Sequence, residues 1–135
     1  IYVDVRKPVM RWSHNEALLD NHGVLMSVSV PENLRAIPVI YAPESTHGQI
    51  FALWAQLFRA EGGWVKQLTS IRQKAMGDWE CVFNDTVVVR LGSKQLEERL
   101  SLFLRVGSMW KVLQDSKPQV FDMRYHGSFS HKHVS

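Results

Sequence analysis

The residues of this sequence that could do chemistry are few and scattered. The lone cysteine, Cys81, lies in an alternating apolar stretch with no histidine near it, which is typical of a small buried hydrophobe. His126, His131 and His133 could contribute to a metal site, but such a site needs more ligands at defined spacing, and a solvated, frayed tail is the favoured interpretation. The sequence contains no phosphate-binding loop, dinucleotide-binding glycine motif, zinc-protease motif or nucleophile elbow. We therefore predict a protein that is not an enzyme and holds no metal or cofactor.

Composition excludes several further classes. The 135 residues suit one domain, and 45% hydrophobic with 21% charged residues are ordinary globular values. The 16 basic residues are scattered among 13 acidic ones, so the net charge of +3 forms no stripe of the kind that binds nucleic acid. A single cysteine excludes an intrachain disulfide and fits a reducing or an oxidising compartment. The sequence has no apolar run long enough to span a bilayer, and it begins within a strand-like stretch, so we expect a preceding segment to have been removed.

Apolar periodicity predicts an α+β fold: a mixed, mostly antiparallel sheet with two helices packed on one face. We expect Gly62 and Gly63 to end the first helix and Ser93 to cap the second. The predicted elements, in order, are strands over 1–12, 17–20, 24–26 and 37–41, a helix over 46–61, strands over 64–73, 78–84 and 86–91, a helix from 93 to about 111, and a final strand over 120–125 followed by a polar tail.

Tryptophan is the informative residue type. Trp54 and Trp110 fall on the apolar stripes of the predicted helices, which favours core packing. Trp12 and Trp64 stand at the ends of elements, where a half-buried indole could support packing or a partner contact.

A set of short motifs recurs in a recognisable order and spacing over the whole chain. They are PVMRW at 8–12, LLDNHG at 18–23, IPVIYAPE at 37–44, WECVFN at 79–84, Leu91-Gly92 with Arg99-Leu100, and FDMRY at 121–125. In this order the chain resembles the FtsQ (DivIB) family of bacterial cell-division proteins. It departs from the family pattern at Tyr41-Ala42, at Gly77-Asp78 where some members carry a basic residue, and at Ser128 where the family often has glycine.

The resemblance implies a domain plan and a location. Residues 1–7 correspond to the last strand of a truncated POTRA domain, and residues 8–135 to the family's β domain. The full-length protein would carry one transmembrane helix in the inner membrane, with this domain in the periplasm at the division septum. The implied function is a divisome scaffold that binds the FtsB–FtsL complex and helps to recruit septal cell-wall synthesis proteins, with FtsK, FtsW and the septal peptidoglycan synthase as further partners.

The resemblance also suggests how a partner binds. A strand at the end of a sheet leaves unpaired backbone groups that a partner strand can use, a mode called β-augmentation. We expect this at the predicted last strand, where Tyr125 and Arg124 are interface-type residues, although Tyr125 could equally close the core and Arg124 could simply be solvated. A generic periplasmic peptide-binding or envelope-assembly domain is the alternative. The candidate partner-binding residues are Arg124, Tyr125, Gly127, Ser128, Phe129, Lys74 and Arg72.

Overall fold

The structure is a computed structural model that describes residues 7–14, 17–27 and 36–134. Over these residues the chain forms one nine-stranded sheet in the order β3-β2-β1-β4-β5-β6-β7-β8-β9. The strands are β1 Pro8–Trp12, β2 Leu18–Asp20, β3 Leu25–Met26, β4 Val39–Tyr41, β5 Leu68–Gln73, β6 Trp79–Phe83, β7 Val87–Gly92, β8 Gln119–Asp122 and β9 Ser130–His133; the helices are α1 His47–Arg59, α2 Trp64–Gln67 and α3 Leu96–Met109. The POTRA strand predicted at 1–7 lies, apart from Lys7, outside the described residues.

The topology explains why the two long helices share one face of the sheet. Strands β4 and β5 are parallel, β5-β6-β7 form an antiparallel meander, and β7 and β8 are parallel, so β4, β5, β7 and β8 all run in the same direction. Helix α1 connects β4 to β5 and helix α3 connects β7 to β8, and both connections step the same way across the sheet. Because such crossovers are right-handed, both helices must lie on the same side. The predicted fold class is confirmed.

The core lies between that face and the helices. Helix α1 buries Ile50, Leu53, Trp54 and Leu57, the stripe that its three- and four-residue spacing predicts. Trp64 packs edge-on against Phe83 and Phe103, with ring centroids 5.3 and 5.2 Å away. Gly107 of α3 makes that approach possible, because a Cβ there would lie 2.6 Å from the Trp64 indole. Trp12 is also buried, so both tryptophans that stand at the ends of elements, Trp12 and Trp64, pack in the core.

Several local predictions hold. The hairpin over 17–26 forms as β2 and β3 around a turn at 21–23. The meander forms with Asn84 and Asp85 both at positive φ, 54° and 58°, as in a type I′ turn between paired strands. This turn suits the right-handed twist of the two strands that it joins.

Two helix boundaries differ from prediction. The segment predicted as a strand from Trp64 begins with the helical turn α2, which places the indole in the core before β5 begins at Leu68. Ser93 does not cap α3, whose N-cap is Gln95 at φ 53°. The chain changes direction at Gly92, where φ is 76°, and again at Gln95. Helix α3 can therefore begin only after Gln95.

The C-terminal end differs most. The strand predicted at 120–125 spans Gln119–Asp122 and is not the last one, because Ser130–His133 pairs with it antiparallel as β9. The interpretation of the tail as frayed is therefore wrong over these four residues. Trp110 lies just after α3 and is 50% exposed, so its predicted place in the core is also wrong; its ring packs instead against Phe129 and His131 near β9.

Candidate partner-binding edge

The terminal strand β9 stands at one end of the sheet order in the described residues, with β3 at the other. Within the described residues it is the last strand in the order and has a neighbour on one side only, β8. Its burial is slight: Ser130, Lys132 and His133 are exposed, and His131 is intermediate. An edge of this kind offers unpaired backbone groups to another chain.

The register shows which backbone groups face outward. The Val134 amide donates a hydrogen bond to the Pro118 carbonyl at 2.9 Å, so the backbone of Val134 points toward β8. Since backbone direction alternates along an antiparallel strand, the groups of Lys132 also point toward β8. The N–H and C=O groups of His131 and His133 then point to the free side, and these are the groups that a partner strand would bind.

The segment between β8 and β9 carries five of the predicted residues, and it is a connection rather than a strand. Tyr125 is 53% exposed, and Ser128 is also exposed. Gly127 turns the chain with φ 64°, and nothing lies within 4 Å of where its Cβ would be. Phe129 is half-buried, with its ring centroid 5.6 Å from that of Trp110, so it anchors the start of β9 rather than standing free.

A charged groove lies on the open face beside this connection. It has a volume of about 230 Å³ and holds three basic and two acidic side chains. Glu80 lies between two of the cations, with Lys74 Nζ at 3.9 Å and Arg90 Nε at 3.6 Å. Arg124 borders the other side, with Nη1 3.9 Å from Asp78 Oδ2. The lining residues are Lys74, Asp78, Trp79, Glu80, Arg90, Gly92 and Arg124.

Arg124 is held in place by a forked contact. Its Nε and Nη2 donate to Asp122 Oδ1 and Oδ2 at 2.8 and 2.6 Å, a bidentate pair of the stronger kind. These hydrogen bonds raise the pKa of Arg124 and lower the pKa of Asp122, and the charge attraction adds to both shifts. The arginine side chain is still 45% exposed, so the fork aims the guanidinium at the groove without burying it.

Gly92 provides the space for this arginine. With a side chain at Gly92, the Cβ would lie 3.2 Å from Arg124 Cγ and 2.5 Å from Arg99 Nη1. Arg99 uses that same nitrogen to donate to the Leu91 carbonyl at 2.6 Å. The glycine therefore lets two arginines cross the end of β7.

The structure brings together Arg124 and Lys74 but not Arg72. Arg72 stands opposite Glu80 in the β5–β6 register, on the same face as the groove. Its guanidinium carbon lies 5.4 Å over the Tyr41 ring, a cation–π contact on the side of the sheet toward β4. Arg72 is not among the groove residues.

Sequence reasoning missed two contributors to this region. Arg90 and Glu80 interrupt apolar strands at positions that alternation assigns to the open face, and that signal could have identified them. The outward-facing backbone groups of β9 gave no such signal, because its residues show no apolar alternation.

The cysteine and the groups that could bind a metal were the other chemical candidates. Cys81 is completely buried, and burial with the nearby Glu80 charge raises its pKa to about 12, so the sulfur stays a thiol at neutral pH. Among the described residues, histidines, cysteines and carboxylates form no group suited to hold a metal ion. In the same part of the chain, none of the helices has the length and apolar character needed to cross a bilayer.

Comparison with known proteins agrees with this architecture. Residues 10–124 match the family model described as "Cell division protein FtsQ/DivIB, C-terminal". The chain is 27% identical over 132 residues to the cell division protein FtsQ of Neisseria gonorrhoeae, covering 96% of this chain and 52% of that protein. It is 26% identical over 132 residues to FtsQ of Allochromatium vinosum, covering 93% of this chain and 50% of that protein. The chain thus spans about half the length of these relatives.

A solved structure supports the fold. The major extracytoplasmic domain of the trans isomer of the cell-division protein DivIB from Geobacillus stearothermophilus superimposes with a TM-score of 0.50 at 12% identity. The match covers 82% of this chain and 98% of that one. With a family model spanning most of its length, the chain belongs to the FtsQ/DivIB family of bacterial cell-division proteins.

Proposed function

We propose that this domain is a non-catalytic divisome scaffold that binds the FtsB–FtsL complex by accepting a partner strand at β9, and that it helps to recruit septal cell-wall synthesis proteins. In the proposal the full-length protein is anchored by one transmembrane helix in the inner membrane, and this domain works in the periplasm. The observation that carries the proposal is the free edge of β9 in a chain of a cell-division family.

Affinity would come first from the backbone. A partner strand beside β9 can pair with the outward groups of His131 and His133, which lie two residues apart as ladder bonds require. On the helix side of the sheet, the half-exposed ring of Trp110 offers an apolar contact for a side chain of that strand.

Specificity would come from the charged groove. The groove holds Lys74, Arg90 and Arg124 against Asp78 and Glu80, and Asp122 pairs with Arg124 beside it, so these charges balance. An acidic partner side chain would be complementary to the exposed part of Arg124 by taking the place of Asp78. Arg124 already donates short hydrogen bonds to Asp122, whereas its contact with Asp78, at 3.9 Å, is longer and weaker. An incoming carboxylate would therefore displace the Asp78 contact and leave the fork with Asp122 intact.

Proline substitution tests the strand addition. His133→Pro removes an outward donor and leaves the ladder to β8 complete, so we expect binding to purified FtsB–FtsL to weaken by about tenfold or more, the equivalent of one well-made hydrogen bond and its neighbours. His133→Ala is the matched control, since it removes the same side chain, with its contact to Asp115, and keeps the backbone donor; the expected loss is therefore measured between His133→Pro and His133→Ala.

Lys132→Pro is the opposite case on the same strand. It removes a donor that points toward β8, so it should lower the amide protection of β9 already in the free domain. If His133→Pro binds FtsB–FtsL as tightly as His133→Ala while the fold is intact, the partner does not pair with β9 and the proposal fails.

A further inference from the structure

Two histidine side chains attach the terminal strand to the rest of the domain. His131 Nε2 lies 2.9 Å from Gln119 Oε1 of β8, and since that oxygen only accepts, the ring nitrogen donates. His133 Nε2 lies 3.2 Å from Asp115 Oδ2, in the segment before β8. The other two side chains of β9, Ser130 and Lys132, are exposed. Side-chain docking of β9 therefore depends mainly on the histidine pair.

His131 lies in an apolar, aromatic environment. Its ring centroid is 4.5 Å from that of Phe121 and 5.3 Å from that of Trp110. The ring of His133 is 5.0 Å away. Rings that exclude water penalise the charged form of an imidazole, and a second histidine adds like-charge repulsion when both are protonated.

The surroundings of His131, its burial and the nearby charges together, favour its neutral form. Burial is the largest cause that lowers the pKa of His131 and His133 the next, while the carboxylate of Asp115 acts the other way. Asp115 itself stays ionised near neutral pH, because hydrogen bonds from the Lys117 amide and from His133 lower its pKa. Lys132 is on the opposite face of β9, since its side chain alternates with those of the two histidines.

We infer that the histidine pair is a pH-sensitive latch: protonation of His131 loosens β9 from β8, and with it the partner-binding edge, as the pH falls below neutrality. The regulatory consequence rests on the proposed function. The latch itself is a property of the free domain and can be measured without a partner.

The sign follows from linkage. A group whose pKa is lowered by folding adds stability above its unfolded value, about 6.5 for histidine, and that stability disappears as the pH falls through the lowered value. Protonated His131 can still donate from Nε2 to Gln119, so what the charge opposes is the packing of the ring against Phe121 and Trp110. The contact of His133 with Asp115 is unaffected by this change. We therefore expect loosening as the pH falls below about 6.5, with the strand remaining near Asp115.

The test uses the free 135-residue chain. Amide hydrogen exchange, corrected for intrinsic rates, should show protection at Lys132 and Val134 falling by about three- to tenfold between about pH 7.5 and 5.5. NMR titration should place the pKa of the His131 ring below the ordinary histidine value. In His131→Gln, which keeps a donor for Gln119 without a titrating charge, protection should be the same at both pH values.

Controls make the result decisive. His14→Gln, in the turn after β1 at the far side of the sheet order, should behave as the wild type. If His131→Gln is unprotected at both pH values, His131→Phe takes its place, since it keeps a ring against Phe121. Constant protection in the wild type, a rise in protection at low pH, or an equal fall in the charge-free variant would overturn the latch. A latch that operates while FtsB–FtsL fails to bind at either pH would refute the proposed function instead.

Discussion

Replacing Gly92 with alanine tests how the end of β7 supports the charged groove. Gly92 has φ 76°, so any alanine there adopts the left-handed region at a cost of about 1 kcal/mol. The new Cβ would also lie 2.5 Å from Arg99 Nη1, which must move away from the Leu91 carbonyl that it contacts at 2.6 Å. Losing most of that charge-assisted hydrogen bond costs about 1 to 3 kcal/mol, and we expect a total loss of about 2 to 4 kcal/mol in the free energy of unfolding.

Gly127 offers a matched control. Its φ is 64°, and nothing lies within 4 Å of where a Cβ would be placed, so Gly127→Ala carries the backbone cost alone, about 1 kcal/mol. Urea unfolding at neutral pH, with the slope m unchanged, measures both variants. Equal losses for the two glycines would refute the role of the arginine contacts at Gly92. The cost of Gly92→Ala should also be measured in a variant that already lacks the Arg99 guanidinium. If the cost there falls to that of the backbone alone, the Arg99 contact is the cause of the rest.

Three other predictions concern the same region. Tyr125→Ala should weaken FtsB–FtsL binding by about 1 to 3 kcal/mol in calorimetry, and unchanged affinity with an intact fold would remove Tyr125 from the interface. Arg124→Glu should lose more affinity than Arg124→Ala, with a dependence on salt, because it places like charges together; equal losses would mean that Arg124 only packs. Asp122 has a lowered pKa, so the stability that it contributes is present above about pH 4 and lost as the pH falls below it. Acid unfolding monitored by circular dichroism should therefore show a smaller loss of stability below pH 4 in Asp122→Asn than in the wild type, and an identical loss would contradict this assignment.

The elements that the sequence predicted well have a strong local signal. The spacing of Ile50, Leu53 and Leu57 is enough to identify α1 and its buried face. The Asn84-Asp85 pair identifies the turn of the meander because these residue types tolerate positive φ. In both cases the residues that determine the structure are neighbours in sequence.

The elements that were missed depend on distant contacts. Four residues are too few for α2 to show helical periodicity, and its position follows from the burial of Trp64 against Phe83. The strand β9 has no alternation of apolar and polar residues, and its side chains are held by Gln119 and Asp115, which lie 12 and 18 residues earlier. Tertiary contacts of this kind override local preference, and one sequence does not reveal them.

The candidate site was predicted in the same uneven way. Arg124 and Tyr125 were predicted as partner-binding residues, and both are exposed next to the sheet edge, while their role in binding stays a prediction. The groove that Arg124 borders was not, because it depends on register: Glu80 stands opposite Arg90 only once β6 and β7 are aligned. A shift of one residue between these strands would turn one of the two side chains toward the core, so the groove is a consequence of strand pairing rather than of a motif.

The polar sequence of β9 is itself informative about how such an edge can exist. An exposed, apolar edge strand would pair with other copies of the chain and aggregate. None of the four residues of β9 has an aliphatic or other strongly apolar side chain that could pack against a second copy. The strand is therefore a weak template for such pairing. In the proposed function, a partner would supply an apolar side chain for Trp110 and an acidic one for the groove, and a second β9 has neither. Under that proposal, the features that weaken self-association would also be the ones that select the partner.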